Sequence, residues 1–127
     1  MNVKMRDLIN FGNFYEEIKD IPVNPILAYK LNLIKNIFDS QIKYYRDSLQ
    51  EIFEKYGERD QNGNLIIEDK EGSIKIETTK IKNAEQEINN LFELTIPIPE
   101  RAEIQMEELG DSNLTPAFLS NLFPFII

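Results

Sequence analysis

The sequence predicts an α+β fold: a long helix packed on a shorter N-terminal helix as a helical hairpin, followed by a small β-hairpin or sheet with one or two short helices. Three observations lead there. Apolar residues recur at steps of three and four through the first part of the chain. After Gly57 the period changes, and short β-prone runs alternate with Gly-containing polar turns. Asn24-Pro25 and Thr115-Pro116 both spell helix starts, a side chain that can cap free N–H groups followed by a residue that lacks one. At 127 residues the chain has the length of one domain with a core of its own. We therefore expect a single domain over 1–127, with a helical part at 1–57 and an acidic, β-containing part at 58–127.

In chain order, Met5, Leu8, Phe11, Tyr15 and Ile18 form the stripe of an amphipathic first helix, which Pro22 closes off. The second helix is expected from Pro25 to Tyr56, with Gly57 as a left-handed C-terminal residue. Its stripe is Leu31, Ile34, Phe38, Ile42, Tyr45, Leu49, Ile52 and Tyr56, with a second row at Leu27, Ile37 and Phe53. The mean step of about 3.6 residues fits a nearly straight packed helix better than a left-handed coiled coil. A shorter first helix leaves its far end uncovered, so Tyr44, Tyr45, Leu49, Ile52, Phe53 and Tyr56 need later segments or another chain. Tyr44 and Tyr45 are adjacent and point to different faces, so one of them faces away from the first helix.

Beyond Gly57, Leu65-Ile66-Ile67 and Ile74-Lys75-Ile76 read as a small hairpin around Glu68–Ser73. Thr78 or Thr79 can cap a third helix carrying Ile81, Ala84, Ile88, Leu91 and Phe92 on one face. Leu94, Ile96 and Ile98 alternate, as do Ala102, Ile104 and Met106. Pro97 and Pro99 restrict the first run to an edge strand, so the second run is the better strand. Thr115-Pro116 opens a short helix with Phe118, Leu119 and Leu122, and Pro124 stops it. The end, Phe123-Pro124-Phe125-Ile126-Ile127, is expected to be covered rather than free in water.

The chain has no Cys, His or Trp, which excludes disulfides, thiolate nucleophiles, imidazole bases and zinc sites built on Cys or His. Any catalysis would rest on carboxylates, Lys, Tyr or hydroxyls. The net charge of -8 opposes phosphate-backbone binding, so no direct nucleic-acid partner is expected. Residues 1–57 carry 8 basic and 8 acidic side chains, whereas residues 58–127 carry 6 and 14, so the whole imbalance follows Gly57. No apolar run approaches the roughly 20 residues that span a bilayer, and Met1–Phe14 lacks the apolar core of a signal peptide, so no membrane partner is expected.

Asp60, Asn62, Asn64 and Glu71 would fill positions one, three, five and twelve of a calcium loop. That loop requires Gly at position six, where this chain has Leu65, with Gly63 at position four. The Asn-Gly pair marks a tight turn instead, and no metal or cofactor is expected. Glu100, Glu103, Glu107, Glu108 and Asp111 have only Arg101 against them. They read as a solvated acidic face, as a docking surface for a basic site on a partner, or as a carboxylate pair for acid–base chemistry. Tyr29, Tyr44, Tyr45 and Tyr56 read as core or interface residues, because a nucleic-acid stacking groove also needs basic neighbours. Asn113-Leu114-Thr115 matches a glycosylation acceptor but precedes Pro116 and reads as a cap.

The segments EKYGERDQNGNLIIED, IKIE, NNLFEL and ELGDSNLTPAFLSNLFPFI, taken in order, resemble a family of small uncharacterised proteins encoded by tailed phages and prophages of low-GC bacteria. The resemblance is most specific over Glu54–Asp69 and Leu109–Ile126, and the chain departs from it at Leu94–Pro99. It implies a phage origin and a setting in the host cytoplasm, or in the virion for a structural component, and it transfers no catalytic residue. The leading expectation is a non-enzymatic accessory protein that binds another protein and inhibits a host or anti-phage defence enzyme through its acidic half. Its contact candidates are Glu100, Glu103, Glu107, Glu108, Asp111, Tyr44, Phe125 and Ile126. The alternatives are a minor virion or assembly protein that forms homo-oligomers through the long helix and apolar C-terminus, and a carboxylate-dependent enzyme.

Overall fold

The computed structural model describes residues 1–68, 72–110 and 114–127. Its elements are β1 (Asn2–Lys4), α1 (Met5–Ile18), α2 (Pro25–Tyr56), α3 (Ile81–Phe92), β2 (Thr95–Pro97) and α4 (Pro116–Leu122), joined in places by 3-10 turns. The fold is α+β, with α2 packed on α1. The residues group into two compact units, Met1–Ile42 with Glu93–Ile127, and Lys43–Phe92. Their boundaries lie inside α2 and after α3, away from the change of charge at Gly57.

In the first unit the local signals act as their chemistry dictates. The Asn24 side chain accepts from the Leu27 N–H at 2.9 Å and starts α2. Thr115 Oγ1 accepts from the Phe118 N–H at 3.3 Å and starts α4, with Pro116 in its first turn. The Asp7 carboxylate reaches back to the Lys4 N–H at 3.1 Å and fixes the start of α1. Helix α1 buries Met5, Leu8, Ile9, Phe11 and Ile18, and α2 contributes Leu27, Leu31 and Ile34. The two helices approach closely at Gly12, where a Cβ would lie 2.2 Å from the Phe38 ring. Lys35 of α2 sets its ammonium 5.5 Å from the Tyr15 ring centre and 5.4 Å from that of Phe38.

The sheet corrects the expected strands. β2 covers the first apolar run, not the second, and pairs antiparallel with β1, Val3 opposite Ile96. Pro97 is tolerated because both strands of a two-stranded sheet are edges. The run with Ala102, Ile104 and Met106 forms two 3-10 turns, Glu100–Ala102 and Met106–Leu109, with a single parallel bridge from Ile104 to Ile126. Ala102 and Ile104 are fully buried, while Met106 is 57% exposed. The alternation therefore matches burial only at Ala102 and Ile104, and there without a ladder.

The second unit has a smaller core. Ile52, Ala84 and Leu91 are buried, with Tyr45, Leu49, Tyr56, Ile76 and Ile88 packed against them. Segments after α2 thus cover its second part. Helix α3 is entered through the 3-10 turn Thr78–Lys80, whose preceding residue is Glu77 without a side-chain cap, so neither Thr78 nor Thr79 has the expected capping role.

The expected hairpin gains a third segment. Glu58 N–H donates to the Lys75 carbonyl (2.8 Å), Lys75 N–H to the Ile66 carbonyl (2.9 Å), and Ile66 N–H to the Glu58 carbonyl (2.9 Å), so three short extended segments close a ring. Isolated bridges Gly57–Ile76, Arg59–Leu65 and Ile67–Ile74 fix the register. The expected turn at Glu68–Ser73 is closed by a bond from the Glu68 N–H to the Ser73 carbonyl at 2.8 Å, and residues 69–71 lie outside the described residues.

Gly57 is not left-handed, contrary to expectation, since the positive-φ glycines are Gly63, Gly72 and Gly110. Its requirement is space. A Cβ there would lie 2.5 Å from both Leu65 Cδ2 and the Phe53 carbonyl oxygen.

Candidate functional site

The acidic residues after α3 divide into two sets once their neighbours are known. Glu108 sits in the second 3-10 turn, where Oε1 accepts from the Gln105 N–H at 3.0 Å and from Lys30 Nζ at 2.5 Å. The same Lys30 ammonium donates to the Glu103 carbonyl at 2.6 Å. Asn24 adds a bond from its Nδ2 to the Glu108 carbonyl at 2.7 Å. The Glu103 carboxylate accepts from the Met1 amine at 3.1 Å. Side-chain exposure is 15% for Lys30 and 14% for Glu108, so this pair is largely shielded from water. Glu93 receives both Lys4 and Arg6.

The hydrogen bond from Lys30 holds the Glu108 carboxyl below its ordinary value, ahead of the opposing effect of desolvation. The hydrogen bond from Lys4 does the same for Glu93. These contributions to stability are complete above the ordinary glutamate pKa of 4.5 and fade as the pH falls through the lower folded values. Lys30→Met should therefore destabilise the chain by about 1–2 kcal/mol at neutral pH, because it leaves a shielded carboxylate and a carbonyl without their donor. The gap between variant and parent should close as the pH drops below that range, measured by thermal melts in a pH series. A gap that is constant with pH would contradict the pairing.

Glu100 and Glu107 lie on the same two turns with exposed side chains. Asp111, the fifth of the acidic candidates, lies outside the described residues. The segment thus uses two of its carboxylates to hold itself to α2 and to the Met1 amine and turns two outward. The sequence reading missed this division because the cations are remote: Lys30 and Glu108 are 78 residues apart. The one local signal was Glu108 three residues after Gln105, the spacing by which a side chain reaches back to the start of a turn.

The other candidates are distributed. Tyr44 is 56% exposed on α2, while Tyr45 packs on Phe92 with ring centres 5.8 Å apart, so the adjacent pair does face opposite ways. Burial raises the Tyr45 phenol above its ordinary range. Phe125 is fully buried and meets Phe11 edge-on, ring centres 5.6 Å apart. Its ring is therefore part of the core and is not presented to a partner. Ile126 is half-buried, whereas Phe123 and Ile127 are 56% and 61% exposed, so the apolar end is covered in part.

Asp60, the first residue of the calcium-loop reading, is engaged in its own turn: Oδ1 accepts from the Asn62 and Asn64 N–H groups at 2.8 and 3.0 Å. Glu71 lies outside the described residues. Among the described residues, no three His, Cys, Asp or Glu side chains group closely enough to hold a metal ion. Among them also, no helix is long and apolar enough to cross a membrane. Comparison of the chain with protein-family models, with curated proteins and with solved structures found no match.

Proposed function

We propose that the chain is a non-enzymatic phage accessory protein that acts by binding another protein, and that Glu100 and Glu107 meet a basic surface on that partner. The supporting observation is the outward presentation of these two carboxylates on adjacent 3-10 turns, in a segment whose other two described carboxylates, Glu103 and Glu108, are committed to internal cations. Exposed charge of one sign steers association and selects partners of the opposite sign. A basic surface of this kind is typical of enzymes that hold nucleic acid, which makes a host or anti-phage defence enzyme the partner class and inhibition by occupancy the mode of action.

The division of carboxylates specifies the test. Glu100→Lys with Glu107→Lys alters the outward charge and leaves the Lys30–Glu108 contact intact. Affinity capture from host lysate followed by mass spectrometry should retain a basic protein on the parent chain and lose it on the double variant, whose melting temperature should stay within a few degrees of the parent. Equal retention by both would rule out the acidic contact. The exposure of Phe123 and Ile127 beside the buried Phe125 supports a second reading, a virion or assembly protein whose copies meet through the C-terminus. A large symmetric oligomer in light scattering, with no host protein captured, would favour that reading over the first.

A further inference from the structure

The turn between the first two segments of the ring carries a covalent liability that its own hydrogen bonds restrain. Asp60 and Gly63 are joined by a bond from the Gly63 N–H to the Asp60 carbonyl at 3.0 Å, and the Asp60 N–H donates to the Asn64 carbonyl at 2.8 Å. With Gly63 at φ 81°, this is a three-residue hairpin loop closed by a glycine in the left-handed conformation. The Asp60 carboxylate holds the loop from inside through the Asn62 and Asn64 N–H groups, and Arg59 Nη1 donates to the Gly63 carbonyl at 2.7 Å.

Of the thirteen asparagines in the chain, Asn62 alone is followed by Gly. Its side chain is exposed, and nothing lies within 4 Å of the place where a Gly63 Cβ would stand. We propose that Asn62 is a site of spontaneous deamidation whose rate is set by the Asp60 hub. In this reaction the Gly63 backbone nitrogen loses its proton and attacks Asn62 Cγ. The Cγ–Nδ2 bond breaks, ammonia leaves, and a five-membered succinimide forms. Water then opens the ring at either carbonyl to give aspartate or isoaspartate, so the net change is one water taken up and one ammonia released.

The attacking nitrogen is the one bonded to the Asp60 carbonyl, so the turn must open first. That opening is local, at an exposed loop tip of the unit with the smaller core. The product adds a negative charge to a chain already at -8. As isoaspartate it also lengthens the loop backbone by one carbon, which disturbs the register that sets Leu65 opposite Arg59.

The test is incubation of the full chain in mildly alkaline buffer, with peptide mapping by mass spectrometry at successive times. Asn62 should convert and Asn64, in the same loop but followed by Leu65, should not. Asp60→Ala, confirmed folded by circular dichroism, should convert roughly fivefold faster, the ratio expected when about one net hydrogen bond of turn stability is lost. Asp60→Asn keeps the acceptor oxygen and should stay near the parent rate. In denaturant the three chains should converge. Conversion of Asn62 no faster than Asn64 would overturn the proposal. So would equal rates in the folded parent and a folded Asp60→Ala chain, or an Asp60→Asn rate that matches Asp60→Ala; if Asp60→Ala does not fold, a folded-parent rate equal to the parent's rate in denaturant overturns it.

Discussion

Phe125→Ala should remove about 3–5 kcal/mol of stability, the usual loss when a fully buried phenylalanine is truncated. The ring has no exposed surface and sits edge-on to Phe11, itself fully buried, in an arrangement that adds to simple burial. Truncation leaves a cavity under α1 that surrounding side chains fill only in part. A domain of this size is stable by about 5–15 kcal/mol, so the variant should be close to unfolding at physiological temperature. Phe123→Ala, two residues earlier and 56% exposed, should change stability by less than about 0.5 kcal/mol. Urea melts of the two variants separate a C-terminus that completes the core from one that only decorates it. Comparable small losses in both would show that Phe125 does not belong to the core.

Gly57→Ala is the second large effect, expected at about 2–3 kcal/mol. The added methyl would stand 2.5 Å from Leu65 Cδ2 and from the Phe53 carbonyl, and 3.1 Å from Ile74 Cγ2. Leu65 can rotate away, but the Phe53 carbonyl is backbone in the last turn of α2 and accepts the Gly57 N–H at 2.7 Å. Relief therefore requires the helix end or the three-segment ring to shift. Hydrogen exchange should show the loss first at the Glu58, Ile66 and Lys75 amides, which close that ring. Unchanged protection at those amides would argue against the crowding account.

The parts of the fold that were legible in the sequence are those decided within a few residues. Asn24-Pro25 and Thr115-Pro116 start helices because the capping oxygen and the missing N–H lie next to each other in the chain. Asn62-Gly63 makes a turn because the glycine there supplies the positive φ that the loop needs. What the sequence concealed depends on distant partners. Strand β1 is three residues long with one buried side chain, too short for any period, and it exists because Thr95–Pro97 lies beside it. Gly57 carried the right residue for a different reason: the helix-end signal was real, but the need for glycine comes from Leu65 and Ile74, later in the chain.

The acidic candidate site shows the same limit. Five neighbouring acids form one cluster in sequence, yet Lys30 and the Met1 amine single out Glu108 and Glu103 from far away. Apart from the Gln105–Glu108 spacing, no local rule separates these two from Glu100 and Glu107. Conversely, the opposite orientation of Tyr44 and Tyr45 was legible because helical geometry alone decides it.

The division of the acidic segment into inward and outward carboxylates underlies both the architecture of the first unit and the proposed contact surface. Its most direct test is thermal unfolding at neutral pH of four single variants, Glu100→Gln, Glu103→Gln, Glu107→Gln and Glu108→Gln. The melting temperature should fall for Glu103→Gln and Glu108→Gln, further for Glu108→Gln, and stay at the parent value for the other two. Equal melting temperatures in all four, or a fall confined to Glu100→Gln and Glu107→Gln, would contradict it.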